Sequence, residues 1–323
     1  MDRRTFISTV ASGLAIASIK ANAQATRPRR IGLLHNGSSV SSAQAEAFRR
    51  GLRELGWIEG KNISIEQRLA EGEPHRLPAL VAELIRERVE VIVLSGSPAV
   101  RAAQQATDKI PIVFVILVDP VLVGFVPSLA RPGGNLTGLA SQFEELITRQ
   151  LQLLKEAVPN LTRVALLHRP EVVPITLPAA ERAAQSLGLS TKALVVANVG
   201  EFEDAYKTAR SSLAGAIQVF PSAYFDVQRK RLIELAARYR LPAIYEFKNY
   251  VQDGGFMSYG PSINEMYRGM ARYVDRILKG ANPGDLPIER PARFELVVNM
   301  KTAAALGLTV SQSLLQQADE LIR

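Results

Sequence analysis

Residues 29–37 read RRIGLLHNG, and residues 162–170 read TRVALLHRP. Each copy runs from a basic residue through an apolar stretch to Leu-Leu-His. Each then meets a turn former, Asn36-Gly37 in the first and Pro170 in the second. The echo continues beyond both. A helix-like segment ending Leu55-Gly56 is matched by one ending Leu187-Gly188. The Val/Ile-rich run 89–94 is matched by 216–220, and IPIVF at 110–114 by LPAIY at 241–245. These steps are far longer than a solenoid repeat, so the pattern predicts two lobes of one plan rather than an array.

Within each copy, strands alternate with helices. The first lobe reads strand 30–35, a helix from Ser41 with Gln44 completing a capping box, strand 62–69 and helix 77–87. Strand 89–94, helix 100–106, strand 110–117, a helix-like stretch 122–130 and an extended stretch 135–139 follow. The second reads helix 143–157, strand 163–168, helix 177–187, strand 191–196, helix 202–213, strand 216–220, helix 226–239 and strand 242–245. A short strand at 254–259, a helix from the capping box at Ser262 and Glu265 to Lys279, a strand at 294–299, a short helix at 301–306 and a helical tail at 312–323 complete the chain. The alternation predicts an α/β protein of two Rossmann-like parallel-sheet lobes, each sheet covered on both faces. Crossings after residue 139, near Tyr250 and near 287–291 predict a three-crossing hinge. Lobe 1 is then 29–140 plus 250–288, and lobe 2 is 141–249 plus 289–323.

Residues 1–25 read as an export signal. Asp2-Arg3-Arg4 precede a modest apolar core, and Ala21-Asn22-Ala23 offers a small-residue cleavage site. Arg3-Arg4-Thr5-Phe6-Ile7 resembles a twin-arginine signal, with Lys20 before the cleavage site. The apolar run is too short and too rich in Ala, Ser and Gly to span a bilayer. The expectation is a soluble periplasmic protein cleaved near Ala23.

The chain has 323 residues, 47% hydrophobic and 22% charged, with formal net charge +8. Losing Asp2, Arg3, Arg4 and Lys20 with the signal leaves +6. The basic residues are dispersed over expected helix exteriors, which argues against nucleic acid as a partner. With no cysteine there is no disulfide, thiol nucleophile or lipid-carrying cysteine. The three histidines, His35, His75 and His168, lack metal-ligand spacing, so no metal is expected. No dinucleotide fingerprint, phosphate-binding loop or nucleophile elbow is present. No cofactor and no catalysis are expected.

In parallel α/β sheets, ligands bind at the carboxyl ends of the strands. In lobe 1 this selects the loops carrying His35, Asn36 and Ser38, then Ser95 and Ser97, then Asp119. The serines and helix-start amides suit a carboxylate, and Asp119 suits an ammonium. Either serine could instead only cap a helix. In lobe 2 the rule selects His168 and Arg169, then Ser222 and Tyr224, then Tyr245. Tyr224, Phe225, Tyr245 and Phe247 could stack a flat ligand or simply fill the core.

Several motifs carry a resemblance: the twin-arginine-like leader, residues 29–34, GLRELGW at 51–57, SGSPA at 95–99, IPIV at 110–113, Asp119-Pro120, SLARPGGN at 128–135, YVDRILKG at 273–280 and FELV at 294–297. They resemble the exported substrate-binding proteins of an ABC transporter family, some of which bind aromatic amino acids such as tryptophan. The resemblance covers nearly the whole mature chain. It implies the type I periplasmic binding protein fold and hinge closure on a small organic solute, an amino acid or carboxylate-like molecule. It also implies an inner-membrane permease as partner to a monomeric receptor. It implies that Ser97 and its loop face the ligand and that Asp119 takes an amino group. The family often has Asn-Pro where this chain has His168-Arg169-Pro170. That departure would put a positive charge at the cleft and favour a more acidic ligand. A ligand sensor serving a membrane receptor or kinase, and an exported two-domain enzyme, are the alternatives.

Overall fold

The computed structural model describes residues 27–35, 43–141, 143–171 and 173–323. Lobe 1 opens with β1 (Arg29–His35), α1 (Ala43–Glu54), β2 (Ile63–Leu69), α2 (Leu77–Arg86), β3 (Val91–Ser95), α3 (Ser97–Ala106), β4 (Ile112–Ile116) and β5 (Leu136–Ala140). Its sheet has the order β2-β1-β3-β4-β5, parallel throughout. β4 (IVFVI) is buried at every position, as a central strand with helices on both faces must be. α2 and α3 cover one face, packing Leu80, Leu84 and Ala103 on Ile92, Leu94 and Phe114.

Lobe 2 follows with α4 (Phe143–Ala157), β6 (Arg163–His168), α5 (Val173–Ser186), β7 (Ser190–Val195), α6 (Phe202–Ser211), β8 (Ala216–Val219), α7 (Ala223–Val227), α8 (Arg229–Arg238), β9 (Ala243–Tyr245), α9 (Lys248–Gln252) and β10 (Met257–Pro261). α10 (Ile263–Leu278) then returns to lobe 1 and closes its open face together with α1: Phe48 and Leu52 meet Met270, Tyr273 and Val274 over Ile31, Leu33 and Val93. The chain ends in lobe 2 with β11 (Phe294–Asn299), α11 (Met300–Leu306), α12 (Gln312–Gln317) and β12 (Glu320–Ile322). The second sheet has the order β12-β11-β10-β9-β8-β6-β7, with β10 and β11 antiparallel.

The structure breaks the expected helix 226–239 at Gln228 and departs from the sequence expectations at four further places. The return to lobe 1 does not fall near Tyr250. β10 pairs with β9 and β11, so residues 250–261 belong to lobe 2 and the crossing lies at Pro261-Ser262. Residues 122–130 form turns, not a helix. Pro120 and Pro127 leave too few residues between them, and Gly124 takes φ +73°. Ser262 caps α10 through its backbone position but makes no side-chain cap bond. The tail is helical only to Gln317, after which β12 pairs Glu320, Leu321 and Ile322 with Val297, Val298 and Asn299. Without it β11 would be an open edge, where unpaired backbone groups are a liability.

The hydrophobic cores of the two lobes meet at Leu117 and Ile263, each of which packs on both. These residues form the floor of the cleft.

Candidate functional site: a cavity between the lobes

A cavity of about 440 Å³ lies between the carboxyl ends of the two sheets, within the size range of small-molecule pockets. Lobe 1 contributes His35, Ser95, Gly96, Ser97 and Tyr267, together with Gly72 and Glu73 from the turn after β2. Lobe 2 contributes Ser222, Tyr224, Asp226, Arg229, Phe247 and Asn249.

The lobe 1 wall is set by strand ends and one returning helix. β1 and β3 are neighbours in register, so their last residues, His35 and Ser95, sit side by side. The Tyr267 hydroxyl, carried in by α10, donates to Ser95 Oγ at 2.6 Å and lies 3.5 Å from His35 Nδ1. Burial pushes the His35 pKa down, so at neutral pH its imidazole is uncharged. Gly96 takes φ +85° at the N-cap of α3, a conformation open mainly to glycine. This sharp turn aims the positive end of α3 at the cavity.

The lobe 2 wall is built by a break in what reads as one helix. Ser222 caps α7, accepting from the Tyr224 amide. α7 stops at Val227, and α8 begins two residues later. Asp226, before the break, and Arg229, after it, both line the cavity. Asn249 Nδ2 donates to Asp226 Oδ1 at 3.4 Å, and the Tyr250 hydroxyl bonds the same carboxylate. Arg229 is engaged elsewhere: Nε donates to Asp253 at 2.7 Å and Nη1 to the Asp226 main-chain carbonyl at 3.0 Å. Burial raises the Asp226 pKa to about 6, against donation from Asn249, the charge of Arg229 and donation from Tyr250.

Of the residues selected from the sequence, His35, Ser95, Ser97, Ser222 and Tyr224 line this cavity. Asn36 and Ser38 lie outside the described residues. Four others are placed off the wall. The Asp119 carboxylate accepts from the amides of Val121 and Leu122 and so caps its own turn. His168 is fully buried, stacked on Phe220 with centroids 3.9 Å apart. Its Nδ1 meets Thr176 Oγ1 at 2.9 Å, and burial holds its pKa at about 4. Arg169 does not bring a charge to the cleft. Its guanidinium donates to the carbonyls of Val196 and Ala197, pairs with Glu171, and lies 4.3 Å over the Tyr224 ring. Tyr245 is buried and stacked on Tyr250. Asp226, Arg229, Asn249 and Tyr267 escaped the sequence reading because they sit on helices, not on the strand-end loops. The only available signal was the carboxylate close behind Ser222.

The lobes touch across the mouth of this cavity. A Cβ placed on Gly72 would lie 2.9 Å from Tyr224 Cα and 3.2 Å from the Ala223 carbonyl. Lobe 1 backbone thus rests directly on lobe 2 backbone. Tyr224 is braced for this contact, with Arg169 over one face, the edge of Phe202 beside it and its hydroxyl accepting from the Val199 amide at 2.9 Å.

Among the described residues, no group of three or more His, Asp or Glu is placed to hold a metal, and no helix is long and apolar enough to cross a membrane.

Comparisons with known proteins agree with this two-lobed cleft. The sequence profile of the ABC transporter substrate binding protein family matches residues 37–322. A tyrosine-binding protein of Clostridioides difficile is 24% identical over 268 residues, covering 81% of this chain and 76% of its own length. The crystal structure of a Streptococcus pneumoniae protein in complex with L-Trp superposes with a TM-score of 0.84 at 23% identity, covering 91% of this chain and 100% of that one. A conserved domain protein of Vibrio cholerae superposes with a TM-score of 0.85 at 24% identity over the same shares. The chain therefore belongs to the ABC transporter substrate binding protein family and has the type I periplasmic binding protein fold.

Proposed function

We propose that the protein is an exported solute receptor of an ABC importer, which closes its two lobes on a small organic solute bearing an amino group and delivers it to an inner-membrane permease. The observation that carries this reading is the cavity lined by both lobes, which touch where Gly72 meets Tyr224. A solute held there bridges the lobes and shifts the population toward the closed form. Asp226 supports an ammonium on the lobe 2 side, and Ser97 at the start of α3 supports a polar or anionic group on the lobe 1 side. The tyrosine and tryptophan named for two relatives make aromatic amino acids the first probes. A periplasmic location after cleavage near Ala23, by the twin-arginine route, is part of the same proposal.

Closure is the step to test. The chain has no cysteine, so Leu122→Cys and Val199→Cys, at exposed positions on lobe 1 and lobe 2, give a labelled pair that reports lobe separation. A bound solute should shorten that distance. Gly72→Leu should hold the lobes apart and weaken binding by roughly tenfold or more, since overpacking typically costs about 1–3 kcal/mol. Gly60→Leu is the control. Gly60 has φ +80° against +78° at Gly72, yet nothing lies within 4 Å of its added Cβ. Both variants carry the same backbone strain, but only one wedges the cleft. Equal effects from the two would sink the closure reading.

A further inference from the structure

We propose that the solute selected by this cavity is a cationic amphiphile: an organic ammonium on an apolar body, preferred over the zwitterion with the same body and strongly over the matching acid. This deepens the receptor reading above and rests on it.

The argument is a charge census of the wall. Among the described residues, besides His35 and two tyrosines, three carboxylates and one guanidinium line the cavity: Glu73, Glu171, Asp226 and Arg229. Two of the four are neutralised by neighbours behind the wall. Glu171 accepts from Arg169 Nε at 3.2 Å, and Arg229 donates to Asp253 at 2.7 Å. Glu73 and Asp226 remain, one carboxylate from each lobe. The groups bonding the Asp226 carboxylate are an amide and a phenol, and the guanidinium that acts on it, Arg229, is itself paired with Asp253. The nearest ionisable neighbour of Glu73 is His75, at 3.6 Å and largely exposed.

Against these two negative charges stands the N-terminus of α3. A helix end carries only about half a positive charge, and Pro98 removes one of the amides there. It can hold a polar group but cannot balance the wall. Arg169 spends its guanidinium on the carbonyls of Val196 and Ala197 and on Glu171. The field inside the cavity therefore favours a net positive ligand. Its body would lie on Ala70, Leu77, Leu117, Val118, Phe247 and Ile263.

The same charges couple recognition to closure. Glu73 follows Gly72, the residue that touches lobe 2. Closing an empty cleft therefore carries one carboxylate toward the wall that holds the other. A cation between them removes that repulsion, and an anion adds to it. Differential affinity for the closed form is what lets a ligand drive the change.

The test holds the body fixed and changes the head group. Isothermal titration of the purified protein at pH 7.5 would use tyramine, L-tyrosine and 4-hydroxyphenylacetate, then tryptamine, L-tryptophan and indole-3-acetate. The amine should bind most tightly, the zwitterion less tightly, and the acid about a hundredfold or more below the amine. Asp226→Asn should weaken the amine by roughly tenfold or more and Glu73→Gln by several-fold, the range for losing one partner of a charge pair. Neither change should weaken the acid. An acid that matches the amine, or a zwitterion that exceeds it, would overturn the inference. A solute that closes the labelled lobes but carries no net positive charge would also overturn it, leaving the receptor reading standing. Lobes that no solute moves would overturn both.

Discussion

At the scale of single residues, Asp226 carries the sharpest consequence. Burial raises its pKa from 3.8 to about 6. The charges and donors facing it are Arg229 on α8, Asn249 and Tyr250 on α9, and Glu246 after β9. Between pH 4 and 6 the folded protein holds this proton more tightly than the unfolded chain does. The Asp226 contribution to stability therefore falls as pH rises through that window and stays lowered at pH 7. Asp226→Asn should melt above wild type at pH 7, with the gap vanishing toward pH 4, while losing amine binding; a melting series across pH checks both. His168 works in the other direction. Its pKa is depressed to about 4, so its contribution is lost as pH falls from about 6.5 toward 4. Wild-type stability should accordingly vary less over pH 4–6 than that of Asp226→Asn. Arg169 acts through shape as well as charge. Its fork serves two carbonyls and Glu171 while its plane covers Tyr224. Lysine cannot reproduce this planar fork. Arg169→Lys should cost about 1–3 kcal/mol of stability, measured by denaturant unfolding, and should loosen the Tyr224 seat on which closure rests.

At the scale of elements, the second sheet depends on its last strand. β12 covers β11, and Asp319 just before it accepts from the Leu296 amide at 2.9 Å and pairs with Arg293. Leu321 packs into the core that α4 and α5 share. Deleting residues 320–323 should expose β11 as an edge. Hydrogen exchange of the β11 amides should then quicken while that of β1, β3 and β4 stays unchanged. Equal protection of β11 in the shortened protein would show that β12 does not stabilise it. The α7–α8 break is the other element that matters. One continuous helix over 226–239, as the sequence pattern suggests, would turn Asp226 and Arg229 through a regular helical spiral. In the structure the two lie on either side of the interruption at Gln228, and both line the cavity.

At the scale of the whole molecule, three crossings join lobes whose cores touch only through a few shared residues such as Leu117 and Ile263. Leu117 and Ile263 join the two cores, and Gly72 meets the Tyr224 backbone across the cavity; the proposed closure would pivot on the first and stop at the second. α10 spans the design. It completes the lobe 1 core from a position far along the chain, its hydrogen bond from Trp57 Nε1 to Asp275 ties it to the turn after α1, and its Tyr267 reaches the cavity. The lobe 1 core and the cavity wall are thus linked through one helix.

The sequence by itself determined the two-lobed α/β plan. Its signals are local and repeated: short, branched, unbroken apolar runs such as 112–116 read as buried strands, and the echo of Leu-Leu-His sets the lobe count. The same strand-end rule selected His35, Ser95, Ser97, Ser222 and Tyr224, which line the cavity between the lobes. Only the tertiary structure decided the rest. Asp119, His168, Arg169 and Tyr245 share those strand ends, yet each turns to a partner that no spacing announces: its own turn, Thr176 and Phe220, two carbonyls, or Tyr250. Tyr267 meets Ser95 across 172 residues of chain. Strand ends are fixed by nearby hydrogen bonding and burial. Which way a side chain at that end points, and which charge is left uncancelled, depends on neighbours brought in from far along the sequence.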